Sequence, residues 1–340
     1  MKSTICFDDV LLEPQYSEIC SRSEIDIGNT LKNVGRLNLP VISAPMDTIT
    51  GSKMAMAMFA FGGVGIIHRY NSIPQQVAKV HNACFNEQRH VVGVAIGVNN
   101  DFVNRAKKCV DAGAKIICVD VAHGHHSNVR HALNVLKNTF GSQVHIMAGN
   151  VATLEAFNDL ADWGADSIRV GIGGGSICST RIQTGHGVPT LQSIIDCSVS
   201  DRDASLIADG GIKNSGDIVK AMAAGADFVM LGSMLAGTDE TPGEVIKTPG
   251  CQPQKVYRGM ASKEAQRDWR DKISSIEGVA HIVPCKGPVE NTLSEIVVGI
   301  RSGLSYSGAR SILELQSKAV FIKQSSQSTF ESSTHITSRL

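Results

Sequence analysis

The stretch Val170-Gly-Ile-Gly-Gly-Gly-Ser-Ile-Cys-Ser-Thr180 holds three consecutive glycines, a serine, and a cysteine two residues before a threonine. The run leading into it, Ser167-Ile-Arg-Val-Gly-Ile172, reads as a buried strand, so the loop opens at a strand's C-terminal end. Glycines there let backbone N–H and C=O groups approach an anion, a cation or a flat ring. Most free cysteines pack as small hydrophobes. The triple glycine and the nearby Thr180 instead mark Cys178 as a nucleophile on an open loop.

Outward from this loop, short apolar runs recur. They are Val41-Ile-Ser-Ala44, Gly63 to His68, Val91 to Ile96, Lys115 to Val121, Val144 to Ala148, Ser167 to Ile172, Ser205 to Asp209 and Phe228 to Leu231. Helix-like segments at 52–61, 74–87, 100–112, 127–138, 153–163 and 214–224 separate most of them. Continuous apolar strands alternating with amphipathic helices indicate a parallel sheet covered by helices. Eight such units predict an α/β fold of the TIM (β/α)8 class. A doubly wound dinucleotide fold would place its Gly-x-Gly-x-x-Gly at the first turn; here the glycine loop follows the sixth strand.

The polar signals fall where a barrel keeps its active site, at strand C-terminal ends. They are Met46-Asp47, His68-Arg69-Tyr70, Asp120 with His123-Gly-His125, Gly149-Asn150, Cys178, Asp209-Gly-Gly211 and Gly232-Ser233. The last two groups follow strands seven and eight, the usual phosphate position of this fold. Glycine N–H groups and a serine hydroxyl hold a phosphate without net positive charge.

The 340 residues carry 32 Lys+Arg and 32 Asp+Glu, which gives no whole-chain attraction to nucleic acid or an anionic membrane. Nine scattered cysteines without a Cys-x-x-Cys pair argue against a zinc site and a disulfide framework. The N-terminus lacks a signal-peptide core, and the longest apolar stretch, Met54 to Ile67, is interrupted by Gly62-Gly63 and too short to span a bilayer. A cytoplasmic protein is expected. After the eighth strand, residues 237–300 are rich in Pro and Gly and read as an active-site insertion or flap on one catalytic domain spanning 1–340. A helix at 290–300 and another around 309–318 follow, then a Ser/Thr-rich flexible tail at 324–340.

Several motifs in consistent order now carry a resemblance. The loop Gly171 to Thr180, with Phe7-Asp-Asp-Val-Leu-Leu12, Ala44-Pro-Met-Asp-Thr48, Ala208-Asp-Gly-Gly-Ile212, Leu231-Gly-Ser-Met-Leu235 and Tyr257-Arg-Gly-Met260, resembles the IMP dehydrogenase/GMP reductase family. The larger dehydrogenases of that family usually insert a CBS pair after the second strand. Here the chain runs from Ser72 through one helix to Val91, so no CBS module is expected there. The resemblance implies that Cys178 attacks C2 of a purine nucleoside monophosphate. It also implies that Ser176, Gly211, Gly232, Ser233 and Tyr257 hold the phosphate, Asp209 the ribose, and Gly259 and Met260 the base. Asp120, Val121, Ala122, Gly149 and Asn150 would line the nicotinamide site, for NADPH or alternatively NAD. The carbonyls of Gly173, Gly175 and Cys178 could ring a potassium ion, and Glu331-Ser-Ser333 resembles the segment that completes such a ring from the next subunit of a homotetramer. Gly174 departs from the family, which usually has Pro or Ser there.

Two reactions share this chemistry at C2. The reductase expels ammonia from GMP and accepts hydride from NADPH; in the family a Thr near the cysteine and a Glu after the flap relay protons, and Thr180 and Glu277 match them. The dehydrogenase activates water with an Arg-Tyr pair on a long flap. Between Met260 and Glu277 no such pair is present, although Arg267 and Arg270 stay as candidate bases. Asp120-Val-Ala122 and Arg301 to Gly308 look reductase-like, whereas Gly63 to Asn71, His123-Gly-His125 and the tail look dehydrogenase-like. The balance favours GMP reductase. The alternatives are an IMP dehydrogenase lacking CBS domains, the same chemistry on a modified or deoxy purine nucleotide, and a barrel that binds nucleotides without turnover.

Overall fold

A computed structural model describes residues 2–84, 90–99, 101–269 and 273–332. Eight parallel strands close into a barrel: β1 Val41–Ser43, β2 Val64–Ile67, β3 Val92–Ile96, β4 Ile116–Asp120, β5 His145–Val151, β6 Ser167–Val170, β7 Ser205–Asp209 and β8 Phe228–Leu231. β8 pairs with β1 to complete the ring. The helices between strands are α1 Ser52–Ala60, α2 Ile73–Cys84, α3 Phe102–Asp111, α4 Ser127–Phe140, α5 Leu154–Asp162, α6 Thr180–Thr184, α7 Thr190–Cys197 and α8 Ser215–Ala223. The eight expected strands and the barrel class are all present. Residues 68–91 contain one described helix and no inserted domain among the described residues.

Alternation along each strand sorts side chains into two cores. Ile116 and Cys118, Ile207, and Phe228 and Met230 fill the barrel interior, while Ile117 and Val119, Leu206 and Ala208, and Val229 and Leu231 pack under the helices. Continuous apolar strands arise because both faces are covered. A hairpin of Asn29–Leu31 and Gly35–Leu37 adds Leu31 and Leu37 to the interior cluster. Sequence reasoning did not anticipate that plug, because three-residue strands carry almost no periodicity. Nor did it find α6 and α7, two short helices separated by Gly185, Gly187 and Pro189.

Past β8, residues 237–288 contain β9 Gln254–Arg258, α9 Lys263–Trp269 and β10 Ala280–Pro284, with β9 and β10 antiparallel from Gln254↔Pro284 to Arg258↔Ala280. Then come α10 Val289–Tyr306 and α11 Ile312–Lys318, the first longer than its expected 290–300. Phe321–Lys323 pairs antiparallel with Val10–Leu12, which ties the two ends of the described chain together. Beyond Gln324 a short helix, Ser326–Glu331, docks on the N-terminal segment through Gln324 and Thr329, both donating to the Asp8 carbonyl. Its Ser325 hydroxyl caps the helix by accepting from the Ser328 N–H, a local signal hidden in a serine-rich stretch. Residues 333–340, with Ser333 of the tail motif, lie outside the described residues.

Candidate active site

At the strands' C-terminal ends a cavity of about 310 Å³ opens, and the sequence-flagged residues converge on it. Cys178 lies half-buried on the loop between β6 and α6. Its Sγ–H donates to Thr180 Oγ1 at 3.2 Å, and Thr180 in turn donates to Glu277 Oε2 at 2.9 Å. Ser275 donates to the other carboxylate oxygen at 2.9 Å. Glu277 is 97 residues from Thr180, and backbone pairing brings it there. The Ser179 N–H donates to the Glu277 carbonyl, the Val279 N–H donates to the Ile177 carbonyl, and Gly259 pairs with Val279. Glu277 is therefore a fixed member of the cysteine loop rather than a solvated loop carboxylate.

The glycines have steric causes. Gly171 sits at φ +144°, and a Cβ there would lie 2.0 Å from the Asp209 carbonyl oxygen. Gly174 needs no unusual φ, but a Cβ on it would fall 2.3 Å from Thr190 Oγ1. That hydroxyl occupies the space a larger residue at 174 would take.

The phosphate candidates meet on one side. Ser176, Gly211, Gly232, Ser233 and Tyr257 all line the cavity. Burial pushes the Tyr257 phenol above its ordinary range, against the lowering effect of hydrogen bonds with Ser176 and Ser233. The loop after β7 is set by α8, where Asn214 caps the helix by accepting from the Asp217 N–H and Asp217 accepts from the Lys213 N–H. Gly259 and Met260 line the neighbouring wall, and Met260 Sδ accepts from the Asp47 N–H at 3.4 Å. Arg258 grips Asp47 and reaches Asp268, while the Trp269 Nε1–H donates to Asp47 Oδ2 at 2.8 Å. Those bonds fasten α9 to the loop after β1.

The same cavity is lined by a charged lattice built on one residue the sequence reading passed over. Ile168 and Val170 face the helices, so strand alternation turns Arg169 into the barrel. It donates to Asp120 Oδ1 at 2.8 Å and to Asp209 Oδ2 at 3.0 Å. Arg69 donates to Asp120 Oδ2 at 3.4 Å, and Asn150 Nδ2 donates to Asp209 Oδ2 and to the Gly171 carbonyl, both at 2.9 Å. Burial alone would raise the Asp120 carboxyl, but Arg169 and Arg69 outweigh it and hold it below the usual carboxylate range. Burial alone would lower Arg169, yet Cys118, Asp209 and Asp120 keep it charged, well above its ordinary value. Asp120 is thus held ionised, and Arg169 orients both carboxylates by donating to each. The same alternation that buries Cys118 and Ile207 points Asp120 and Asp209 inward, so Arg169 was findable as the lone cation on an interior face.

Val121, Ala122 and Asn150 line the cavity beside Asp120. Gly149 does not line it; it packs on β6, where a Cβ would fall 2.6 Å from that of Arg169. Gly173, Gly175 and Cys178 border the opening, and the Gly175 carbonyl already accepts the Cys178 N–H at 3.1 Å. Arg267 lines a second, polar cavity with Arg69, Tyr70 and Asn99 rather than the cysteine cavity. Arg270 lies outside the described residues.

The model of the IMP dehydrogenase / GMP reductase domain matches residues 4–335. The chain belongs to this family. Its members are oxidoreductases that act on purine nucleotides with a nicotinamide cofactor. An inosine-5'-monophosphate dehydrogenase of Nitrosopumilus maritimus is 33% identical, over 98% of this chain and 98% of its own. A GMP reductase of Leishmania major is 32% identical, over 99% and 97%. In three dimensions the chain is similar to a GMP reductase of Trypanosoma brucei, solved as a cysteine-to-alanine variant in complex with guanosine 5'-monophosphate. The TM-score is 0.93 at 31% identity, with 99% of each chain covered. Both activities of the family thus occur among relatives at the same level of identity.

Proposed function

We propose that the chain is a GMP reductase that converts GMP and NADPH to IMP, ammonia and NADP. The observation that carries this reading is the unbroken hydrogen-bond line Cys178–Thr180–Glu277. Deamination needs a proton delivered to a leaving amine, and a hydroxyl held between thiol and carboxylate at hydrogen-bond distance can deliver it.

In this reading the 5′-phosphate rests on Ser176, Gly211, Gly232, Ser233 and the Tyr257 hydroxyl. Asp209, held by Arg169 and Asn150, accepts from the ribose hydroxyls, and Met260 and the adjacent backbone pack on the base. Cys178 adds to C2 of the guanine as its thiol proton passes through Thr180 to Glu277; the C2–N bond then breaks as the same line returns that proton to the departing amine, which leaves as ammonia. Asp120, Val121, Ala122 and Asn150 form the wall on which a nicotinamide would lie. When bound, reduced cofactor supplies the hydride that C2 takes up as the C–S bond breaks and the thiolate returns. The residues fit such a group, since the wall is half-buried and carries an oriented carboxylate. The carbonyls of Gly173, Gly175 and Cys178 would supply a potassium ion with neutral oxygen ligands, and the Gly175 oxygen, which also accepts the Cys178 N–H, keeps a second lone pair for it. The same reading carries a cytoplasmic homotetramer.

The dehydrogenase is the second reading, favoured by the equal similarity to the archaeal relative. The purified protein should be offered GMP with NADPH and, separately, IMP with NAD, following nicotinamide absorbance. NADPH oxidation with release of ammonia supports the reductase; NAD reduction with formation of XMP overturns it. Cys178→Ala should abolish turnover in either direction while the nucleotide still binds, as checked by calorimetry.

A further inference from the structure

On the far side of the phosphate wall lies a separate cavity of about 260 Å³. It shares Ser176, Gly211 and Ser233 with the central cavity, so whatever fills it touches the outer face of the same cradle. Its remaining walls carry charge. Lys213 reaches in from the loop after β7, Arg181 from α6, and Asp8 from the N-terminal turn Phe7–Asp9. Phe7 fixes that turn against the cradle, with its ring 3.6 Å from where a Cβ on Gly211 would stand. Lys220 holds the turn from below by donating to the Phe7 carbonyl.

Asp8 clamps Lys213 with both carboxylate oxygens, each 2.7 Å from Nζ. Both side chains are about half exposed, so the pair contributes little to stability. Its position is what counts, since it neutralises one cation at the point where a ligand leaving the cradle outward would emerge. Thr190, on the same cavity wall, is only 3% exposed, and its hydroxyl has no hydrogen-bond partner. Arg181 is turned to the Val188 and Ile172 carbonyls. The cavity therefore offers a second phosphate room, a hydroxyl and cations, but sets a fixed carboxylate among them.

We propose that Asp8, clamped on Lys213, makes this site select nucleoside 5′-monophosphates over 5′-diphosphates by denying a β-phosphate the cavity beyond the cradle. The inference rests on the proposed placement of the 5′-phosphate, and not on which of the family's two reactions follows. A β-phosphate emerging past Ser176 and Ser233 would bring a second anionic group against Asp8, and like charges at that range disfavour the wrong ligand. Removing the Asp8 charge frees Lys213 and leaves Arg181 and Thr190 facing the same space. Removing the Lys213 charge instead leaves Asp8 uncompensated. The two halves of one ion pair must then act on selectivity in opposite directions, which a merely structural role of the clamp would not produce.

Calorimetric titration with GMP, GDP, IMP and IDP tests this on the full-length wild type, Asp8→Asn and Lys213→Met. The wild type should bind each monophosphate more tightly than its diphosphate. In D8N the ratio of diphosphate to monophosphate Kd should fall by about five- to tenfold, and in K213M it should rise. Equal wild-type affinity for mono- and diphosphate overturns the proposal, as does a shift of the ratio in the same direction, or no shift, in both variants. If the wild type binds no monophosphate at all, the placement of the phosphate fails, and the selectivity proposal with it.

Discussion

The site is made of two parts that differ in how they are held. Cys178, Thr180 and Glu277 sit half-buried at the loop end of the barrel, joined by two side-chain hydrogen bonds and by backbone pairing of the segments that carry them. Asp120, Arg169 and Asp209 project from three barrel strands into the interior, with Arg169 only 6% exposed. The first arrangement can lose a member without disturbing the core. The second cannot, since each charge compensates another among largely buried side chains. On the proposed reading, the groups that react with substrate are carried by the connecting segments, and the groups that orient it are part of the fold.

The hardest test of this contrast is Arg169→Met, which leaves Asp120 and Asp209 largely buried without their shared cation. Stability should fall by about 3–5 kcal/mol, read from denaturant midpoints. Unchanged stability would make the lattice an ornament of the site rather than a part of the barrel.

Glu277→Gln removes the acid of the proposed relay and should act the other way. We expect the step that releases ammonia to slow by roughly 100-fold, while stability moves by less than about 1 kcal/mol. Stopped-flow measurement of ammonia release and hydride transfer separates the steps, and equal slowing of both would remove the relay role.

Gly174→Ala sharpens the contrast from the loop side. The new Cβ meets Thr190 Oγ1 at 2.3 Å, so a loss of about 1–3 kcal/mol is expected. Thr190→Ala in the same chain should recover most of it, a non-additivity that a double-mutant cycle reads directly.

A change of pH tests the barrel without any substitution. Burial and the Lys79 ammonium depress His68 to about 4, and burial depresses His145 to about 4. Unfolded, both titrate near 6.5. Between those values the unfolded chain binds more protons, so stability is full above pH 6.5 and falls as pH drops toward 4. The slope is at most about 1.4 kcal/mol per unit for each histidine. Thermal midpoints in His145→Gln should show a shallower decline over the same window.

Much of this was legible before any coordinates. Eight apolar runs, the helices between them and the place of the glycine loop after the sixth run determined the barrel, because strand and helix periods are local properties of the chain. The same reading put Cys178, Asp209, Gly211 and Gly232 at the open end, since a barrel's active end is set by strand direction. It named Thr180 and Glu277 from resemblance but had no means to show them touching. That contact is made by the Cys178 and Gly278 segments pairing across a long separation, and no local pattern encodes such a pairing. Arg169 shows the same limit at a single residue. Its alternation was visible, yet a cation on an inward face reads as an anomaly until Asp120 and Asp209 arrive from two other strands. The clamp of Asp8 on Lys213 joins residues 205 positions apart. The sequence determined the barrel strands, most of the helices between them and the end where the candidate residues gather; tertiary structure alone decided which charges meet, because compensation of a buried or confined charge depends on distance in space and not on distance along the chain.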